Sequence, residues 1–199
     1  MNERKIRIPH IDQAETAPPP VFEPFQDRRS RDIRNALSSA LAEAIAEGRP
    51  EPFEREATRL LDDRPPERYR DYITDRLPRY HRALEAIARG ITDPYAQGVE
   101  LWNERLFFEM HEVLEHAWYY AEGDHKLLLQ AMIRAAGVYV KLEYGYVRQA
   151  AKMAVKAREV LERSREVLLH YFEPEELLTA LARLDPVPPR LLPPSRRQD

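Results

Sequence analysis

Residues 107 to 118, Phe-Phe-Glu-Met-His-Glu-Val-Leu-Glu-His-Ala-Trp, set two histidines and three carboxylates among large apolar side chains with no helix breaker. On a helix, His111 and Glu115 share a face because they are four apart, and so do Glu112 and His116. Glu109 and Glu112 are three apart, as are Glu112 and Glu115. Titratable groups crowded on a largely apolar segment must be paired, bound to something or shifted in pKa. Any chemistry this chain performs is expected here.

Three chemistries compete for that segment. Imidazole and carboxylate suit zinc, iron or manganese. The His-Glu-x-x-His pattern of zinc proteases fails, because Glu115 stands four after His111 and His116 five after it. The inverted His-x-x-Glu-His pattern fails as well, since Glu112 occupies the place of its first histidine. Di-iron bundles take Glu-x-x-His from two helices, and the segment holds none. His111, Glu115 and His116 stay as metal candidates, with a divalent transition metal as an option the sequence does not favour. Acid–base catalysis is the second chemistry: a histidine oriented by a carboxylate four residues away is a serviceable base, which makes His111, Glu112 and Glu115 the catalytic candidates. No nucleophile elbow, phosphate loop or cofactor fingerprint accompanies them. The third reading is structural and ranks first: a His–Glu pair buried between helices and hydrogen-bonded to Lys126, Gln130, Arg134 or a tyrosine, since ion-pair networks are often only structural. On that reading Glu112 and Glu115 do not both face solvent. Among the surrounding aromatics Trp102, Phe107, Phe108, Tyr119 and Tyr120, most read as core, and Trp118 stays open as a pocket residue.

The elements that must position these groups are helical. Ile33, Leu37, Leu41 and Ile45 recur every four residues, and Gly48 and Pro50 close that stripe. Phe53 to Leu61 predicts a short second helix, stopped by Pro65-Pro66. Tyr69 begins a third, which Pro78 must interrupt or restart before Tyr80, Leu84 and Ile87 carry it on to Gly90. Asp93-Pro94 is a start signal, an N-cap followed by proline at the first helical position. Four helices follow, at about 94–103, 106–121, 125–144 and 146–171. Asn103-Glu104-Arg105 makes one tight turn, and Gly123 and Asp124 cap the next. A last short helix runs from Pro174 to Leu184. The helix over Leu127 to Tyr144 is apolar on most sides and should be central, with Gly137 inside it marking close approach of another helix. Lys152, Lys156, Glu159, Arg163 and Glu166 give its successor a polar face. No segment alternates as a strand does, so the class is all-α: a compact multi-helix antiparallel bundle with extra N-terminal helices and Pro-rich tails.

The division expected is a Pro-rich N-terminal segment at 1–28, a helical extension at 29–92, the core bundle at 93–184 and a Pro-rich tail at 185–199, both ends loose or draped over the domain. The chain has 199 residues, 33% of them charged, and a net charge of -3, so neither nucleic acid nor an anionic membrane is expected as its main partner. The basic cluster Arg28, Arg29, Arg31 and Arg34 is interleaved with Asp27 and Asp32, as a solvated face is. There is no cysteine, which excludes disulfides and thiolate chemistry. Met1 to Pro20 lacks the apolar core of a signal peptide, and no apolar run approaches the about 20 residues of a membrane span. A soluble cytoplasmic protein is the expectation.

The stretch Leu101-Trp102-Asn103-Glu104-Arg105-Leu106-Phe107-Phe108-Glu109-Met110-His111-Glu112-Val113-Leu114-Glu115, then Trp118, then Leu129-Gln130-Ala131-Met132-Ile133, resembles the family catalogued as domain of unknown function 309. Members carry a pattern close to Leu-Phe-Asn-x-Gly-x-Tyr-Phe-Glu-Ala-His-Glu-x-Leu-Glu, a tryptophan three further on, and later Leu-Gln-Gly-Leu-Ile. The resemblance covers about residues 93–161. It implies a compact bundle of a few antiparallel helices and no established activity. The family's recurrent polar positions fall on Asn103, Glu109, His111, Glu112, Glu115, Trp118 and Gln130. The chain departs from the pattern with Arg105 and Ala131 in place of glycines. It also has Tyr139-Val140-Lys141 where the family is expected to follow a tyrosine with histidine. Asn103, Glu109, Trp118, Gln130 and Arg134 are the ligand-binding candidates. Three classes of function follow: a binding or scaffolding module, which ranks first, with a protein partner or a second copy of the chain as options; a metal-dependent or acid–base hydrolase; and a small-ligand binder with an aromatic-lined pocket.

Overall fold

The computed structural model describes residues 21–194. The expectations for Pro18-Pro19-Pro20 and the rest of 1–20, and for 195–199, lie outside the described residues. The described chain is all-α, with helices and no strand. It holds α1 (Arg28–Glu47), α2 (Glu51–Asp62), α3 (Glu67–Ile87), α4 (Pro94–Asn103), α5 (Phe107–Tyr120), α6 (Gly123–Glu143), α7 (Val147–Arg163), α8 (Arg165–Leu168) and α9 (Pro174–Arg183). No helix among the described residues is long and apolar enough to cross a membrane.

Local chemistry sets most of the boundaries. Asp27 caps α1, its carboxylate accepting from the backbone N–H groups of Arg29 at 3.1 Å and Ser30 at 3.2 Å. Asp93 caps α4 through the N–H of Ala96 at 3.0 Å. Short turns fold α4, α5, α6 and α7 back on one another in sequence, and α9 lies on α7. The α6 helix is central as expected, packed between α5 and α7, with Leu129, Ala131, Ala135, Ala136 and Val138 fully buried. Gly137 marks the close approach: a Cβ there would stand 2.3 Å from Met153 Cε of α7. The α1 helix packs on α5, and α3 packs on α1, α2 and α4. Residues outside the resemblance therefore cover part of the candidate helix.

Several boundaries differ from expectation. Pro78 does not interrupt α3. It sits on the exposed side, as does Thr74, whose carbonyl loses its donor to the proline and faces water. The buried face through Tyr69, Ile73, Arg76, Tyr80, Ala83 and Ile87 runs on unbroken. The expected 146–171 helix ends at Arg163, because the chain turns at Ser164 to drive Leu168 and Phe172 into the core at 0% and 1% exposure. Gly123 begins α6 rather than capping α5, and Glu122 precedes it in extended conformation.

The α4–α5 turn is a Schellman motif: the Arg105 N–H reaches the Trp102 carbonyl at 2.8 Å, and the Leu106 N–H reaches the Leu101 carbonyl at 2.9 Å. The motif needs a left-handed residue, and Arg105 takes that role at φ 57°. The α6–α7 turn repeats the same bonds with Gly145 in that place. An arginine in this conformation costs about 1 kcal/mol more than glycine, part of which glycine returns as unfolded-chain entropy. Arg105→Gly is expected to raise stability by about 0.5–1 kcal/mol and Tm by about 1–3 °C in thermal unfolding; a lowered Tm would show that the exposed Arg105 side chain matters more than its backbone.

Candidate functional site

The α5 helix is covered on two sides. Phe107, Met110 and Leu114 face the bundle core. Glu109, also buried at 1% exposure, faces α3 instead. There the Tyr80 hydroxyl donates to Glu109 Oε1 at 2.7 Å. Arg76, one turn before Tyr80, is 5% exposed. Its guanidinium donates to the Arg105 carbonyl at 3.3 Å, lies 3.5 Å from Glu143 Oε1, and stands over the Tyr72 ring at 4.7 Å. Burial disfavours the Arg76 charge, but Glu109, Tyr72 and Glu143 more than offset it and hold its pKa well above the ordinary arginine range. Burial, with Glu109 and Tyr72 beside it, pushes the Tyr80 phenol well above its usual range. This is a buried network that ties α3 to α5, α6 and the Schellman turn.

The histidine cluster is a separate arrangement. His111 Nδ1 lies 3.3 Å from Glu112 Oε1 and 4.0 Å from Glu115 Oε2. One ligand atom from each of His111, Glu112 and Glu115 falls within 4.8 Å of the others. Their side chains are 32%, 42% and 56% exposed. The expectation of a His–Glu pair buried between helices is therefore corrected: the pairs of His111 run along α5 itself, and both Glu112 and Glu115 face solvent. The physical reason is direction, since α1 packs on α5 and Tyr80 of α3 reaches Glu109, while the His111 side is left open. Such exposed pairs contribute little to stability.

Glu112 also belongs to a second feature. With Val113, His116 and Ala117 it forms one wall of a cleft of about 740 Å³ against α1, the end of α3 and the start of α4. Ala42, Ile45, Ala46, Leu84, Ile87 and Ile91 supply most of the apolar surface, and Ser38, Ser39, Thr92 and Gln97 the remaining polar groups. Among the described residues Glu112 is the one carboxylate in this lining, to which no lysine or arginine contributes. The Ser38 hydroxyl is buried without a partner. His116 turns away from the His111 group and sets its ring edge-to-face with Tyr120 at 5.6 Å.

The other candidates are scattered. Asn103 hydrogen-bonds to the backbone of Leu191 in both directions. Trp118 is half-buried, with the Lys126 ammonium 4.7 Å from its ring centroid. Gln130 and Arg134 are half-buried on α6. Of the aromatics expected mostly as core, Trp102 and Phe107 are buried and Phe108 lies under the Arg34 guanidinium at 3.7 Å, whereas Tyr119 and Tyr120 are 71% and 74% exposed at the free end of α5. Sequence reasoning missed Tyr72, Arg76 and Tyr80, although their spacing of four was a visible signal of one polar face on α3.

No curated protein and no solved structure matches the chain. A family model matches residues 95–153, which span α4, α5, α6 and the first turns of α7. Over that segment the chain is similar to the family described as Domain of unknown function (DUF309).

Proposed function

We propose that this chain is a cytoplasmic binding module whose ligand sits in the cleft between α1 and α5. The observation that supports the reading is the cleft itself: its volume of about 740 Å³ falls within the range of small-molecule sites, and its walls are mostly apolar with a few convergent polar groups. Glu112 and His116 are the polar anchors. A lining with one carboxylate and no basic side chain favours a ligand with an apolar body and a cationic amine. The test is thermal unfolding in the presence of a panel of small apolar amines beside carboxylic acids of the same shape. An amine at about 100 times its Kd is expected to add about 2.7 kcal/mol of stability, and Glu112→Gln is expected to remove most of that gain. Equal shifts from the acids, or an undiminished shift in the variant, would reject the site.

A second reading rests on the convergence of His111, Glu112 and Glu115. Three side-chain ligands with open positions suit a divalent transition metal at the lip of the cleft and a metal-activated water for hydrolysis. Titration of the untagged protein with zinc and with manganese tests it. One ion per chain is expected, lost in His111→Ala, while that variant changes folding stability by less than about 0.5 kcal/mol, as an exposed side chain should. Metal bound equally by the variant would sink this reading.

A further inference from the structure

The Pro-rich tail is seated on the domain in a specific way. After α9 the backbone turns left-handed at Leu184, at φ 51°, and leaves helical structure. The indole N–H of Trp102 donates to the Pro189 carbonyl at 2.8 Å. Asn103 then reads Leu191 in both directions: its Nδ2 donates to the Leu191 carbonyl at 3.0 Å, and its Oδ1 accepts from the Leu191 N–H at 2.8 Å. One residue on, the Leu192 carbonyl accepts from the Glu173 N–H at 3.0 Å. Every strap atom in these bonds belongs to the backbone. One strap side chain is buried, Leu191 at 1% exposure, while Arg190 and Leu192 point outward.

This is how a receptor reads an extended proline-rich peptide: an aromatic N–H to a carbonyl, an amide bidentate to the backbone, and a slot for one apolar side chain. Backbone recognition is tolerant of sequence and asks only for an extended chain with a leucine at the slot. Prolines 188, 189, 193 and 194 keep the strap extended on either side of it. The side-chain receptor groups, Trp102 and Asn103, lie on α4 inside the segment 95–153, the backbone donor Glu173 precedes α9, and the strap is joined to α9 by the exposed link 185–187. Receptor and occupant are thus separable parts of the chain.

We propose that the Trp102–Asn103 groove is a docking site for an extended Pro-x-Leu peptide of a partner protein, filled here by the chain's own residues 189–192. A tethered occupant acts at millimolar effective concentration. The tail therefore holds the site against weak competitors and yields to a partner whose segment binds more tightly or is presented in several copies.

The test starts from the full, folded chain carrying a site-specific protease sequence in place of Val187, whose side chain is 62% exposed. The chain is cut after folding, the released segment is removed by gel filtration, and a synthetic peptide with the sequence of residues 188–199 is titrated in. Tryptophan fluorescence reads binding and circular dichroism reads the helices. The expected result is retained helix and saturable binding of the peptide, with the uncut chain about 100-fold weaker because its tail competes. Asn103→Ala in the protein, or Leu191→Ala in the peptide, is expected to cost about tenfold or more in affinity. A cut chain that keeps its helices and ignores the peptide at about 1 mM would overturn the proposal. So would a cut chain that loses its helices, because the strap would then be part of the folding unit, or Asn103→Ala binding as well as the parent.

Discussion

Replacing Glu109 with alanine is expected to cost about 1–3 kcal/mol of folding stability, the range for leaving a buried donor without its acceptor. Two losses combine. The Tyr80 hydroxyl, fully buried, loses the acceptor it reaches at 2.7 Å. Arg76, at 5% exposure, loses the first of the groups that favour its charge and keeps only a half-exposed Glu143 at 3.5 Å and a backbone carbonyl at 3.3 Å. Glu109→Gln separates the two, since an amide oxygen still accepts from Tyr80 but puts no charge opposite Arg76; it should fall between the parent and the alanine variant. Urea denaturation at neutral pH measures all three. In a cycle with Arg76→Ala, the double variant should be more stable than the sum of the single losses, because the Glu109 charge favours the buried Arg76 guanidinium. Additive losses would mean that the two groups are held independently.

The carboxylates of the motif divide into a buried one and two exposed ones, a division that is not visible in their spacing. Glu109, Glu112 and Glu115 look alike in a one-dimensional pattern of carboxylates three apart. Their fates differ because a helix turns about 100° per residue and neighbours cover some sectors of α5 and not others. The polar partner of Glu109 is Tyr80 of α3, in a part of the chain that the family resemblance does not reach. A reading confined to the motif helix could see that the cluster was unusual, but not which carboxylate was structural. Within single elements the sequence was far more legible. The apolar stripe from Ile33 to Ile45, the Asp93-Pro94 start, the central character of α6 and the close approach at Gly137 all follow from spacing or from one residue's conformational needs. What failed needed knowledge of the surroundings. Pro78 is carried through α3 because the buried face on the other side is continuous, and the helix after Gly145 stops at Arg163 because Leu168 and Phe172 have a core to enter. The draped tail was foreseen as one of two options; its partner Asn103 was foreseen as a ligand residue, and its amide is engaged by the chain's own backbone.

Trp102 joins these themes, and its replacement by alanine is expected to cost about 3–5 kcal/mol. The side chain is 1% exposed, and its ring stands edge-to-face with Phe107 at 5.0 Å and with Tyr139 at 5.1 Å. Alanine would remove the centre of that aromatic cluster, open a cavity among α4, α5 and α6, and release the Pro189 carbonyl. Trp102→Phe isolates the last contribution. A phenylalanine ring keeps the aromatic packing with Phe107 and Tyr139 and lacks the indole donor to the tail. The phenylalanine variant is expected to lose only about 1–2 kcal/mol, with the loss concentrated in the strap. Hydrogen exchange should then show faster exchange at the Leu191 amide, while the amides in the middle of α5 and α6 keep their protection. If the strap amide stays as protected as in the parent, the Asn103 pair holds the tail without help from the indole. If α5 and α6 exchange faster too, Trp102 stabilises the core mainly through its shape and not through its N–H.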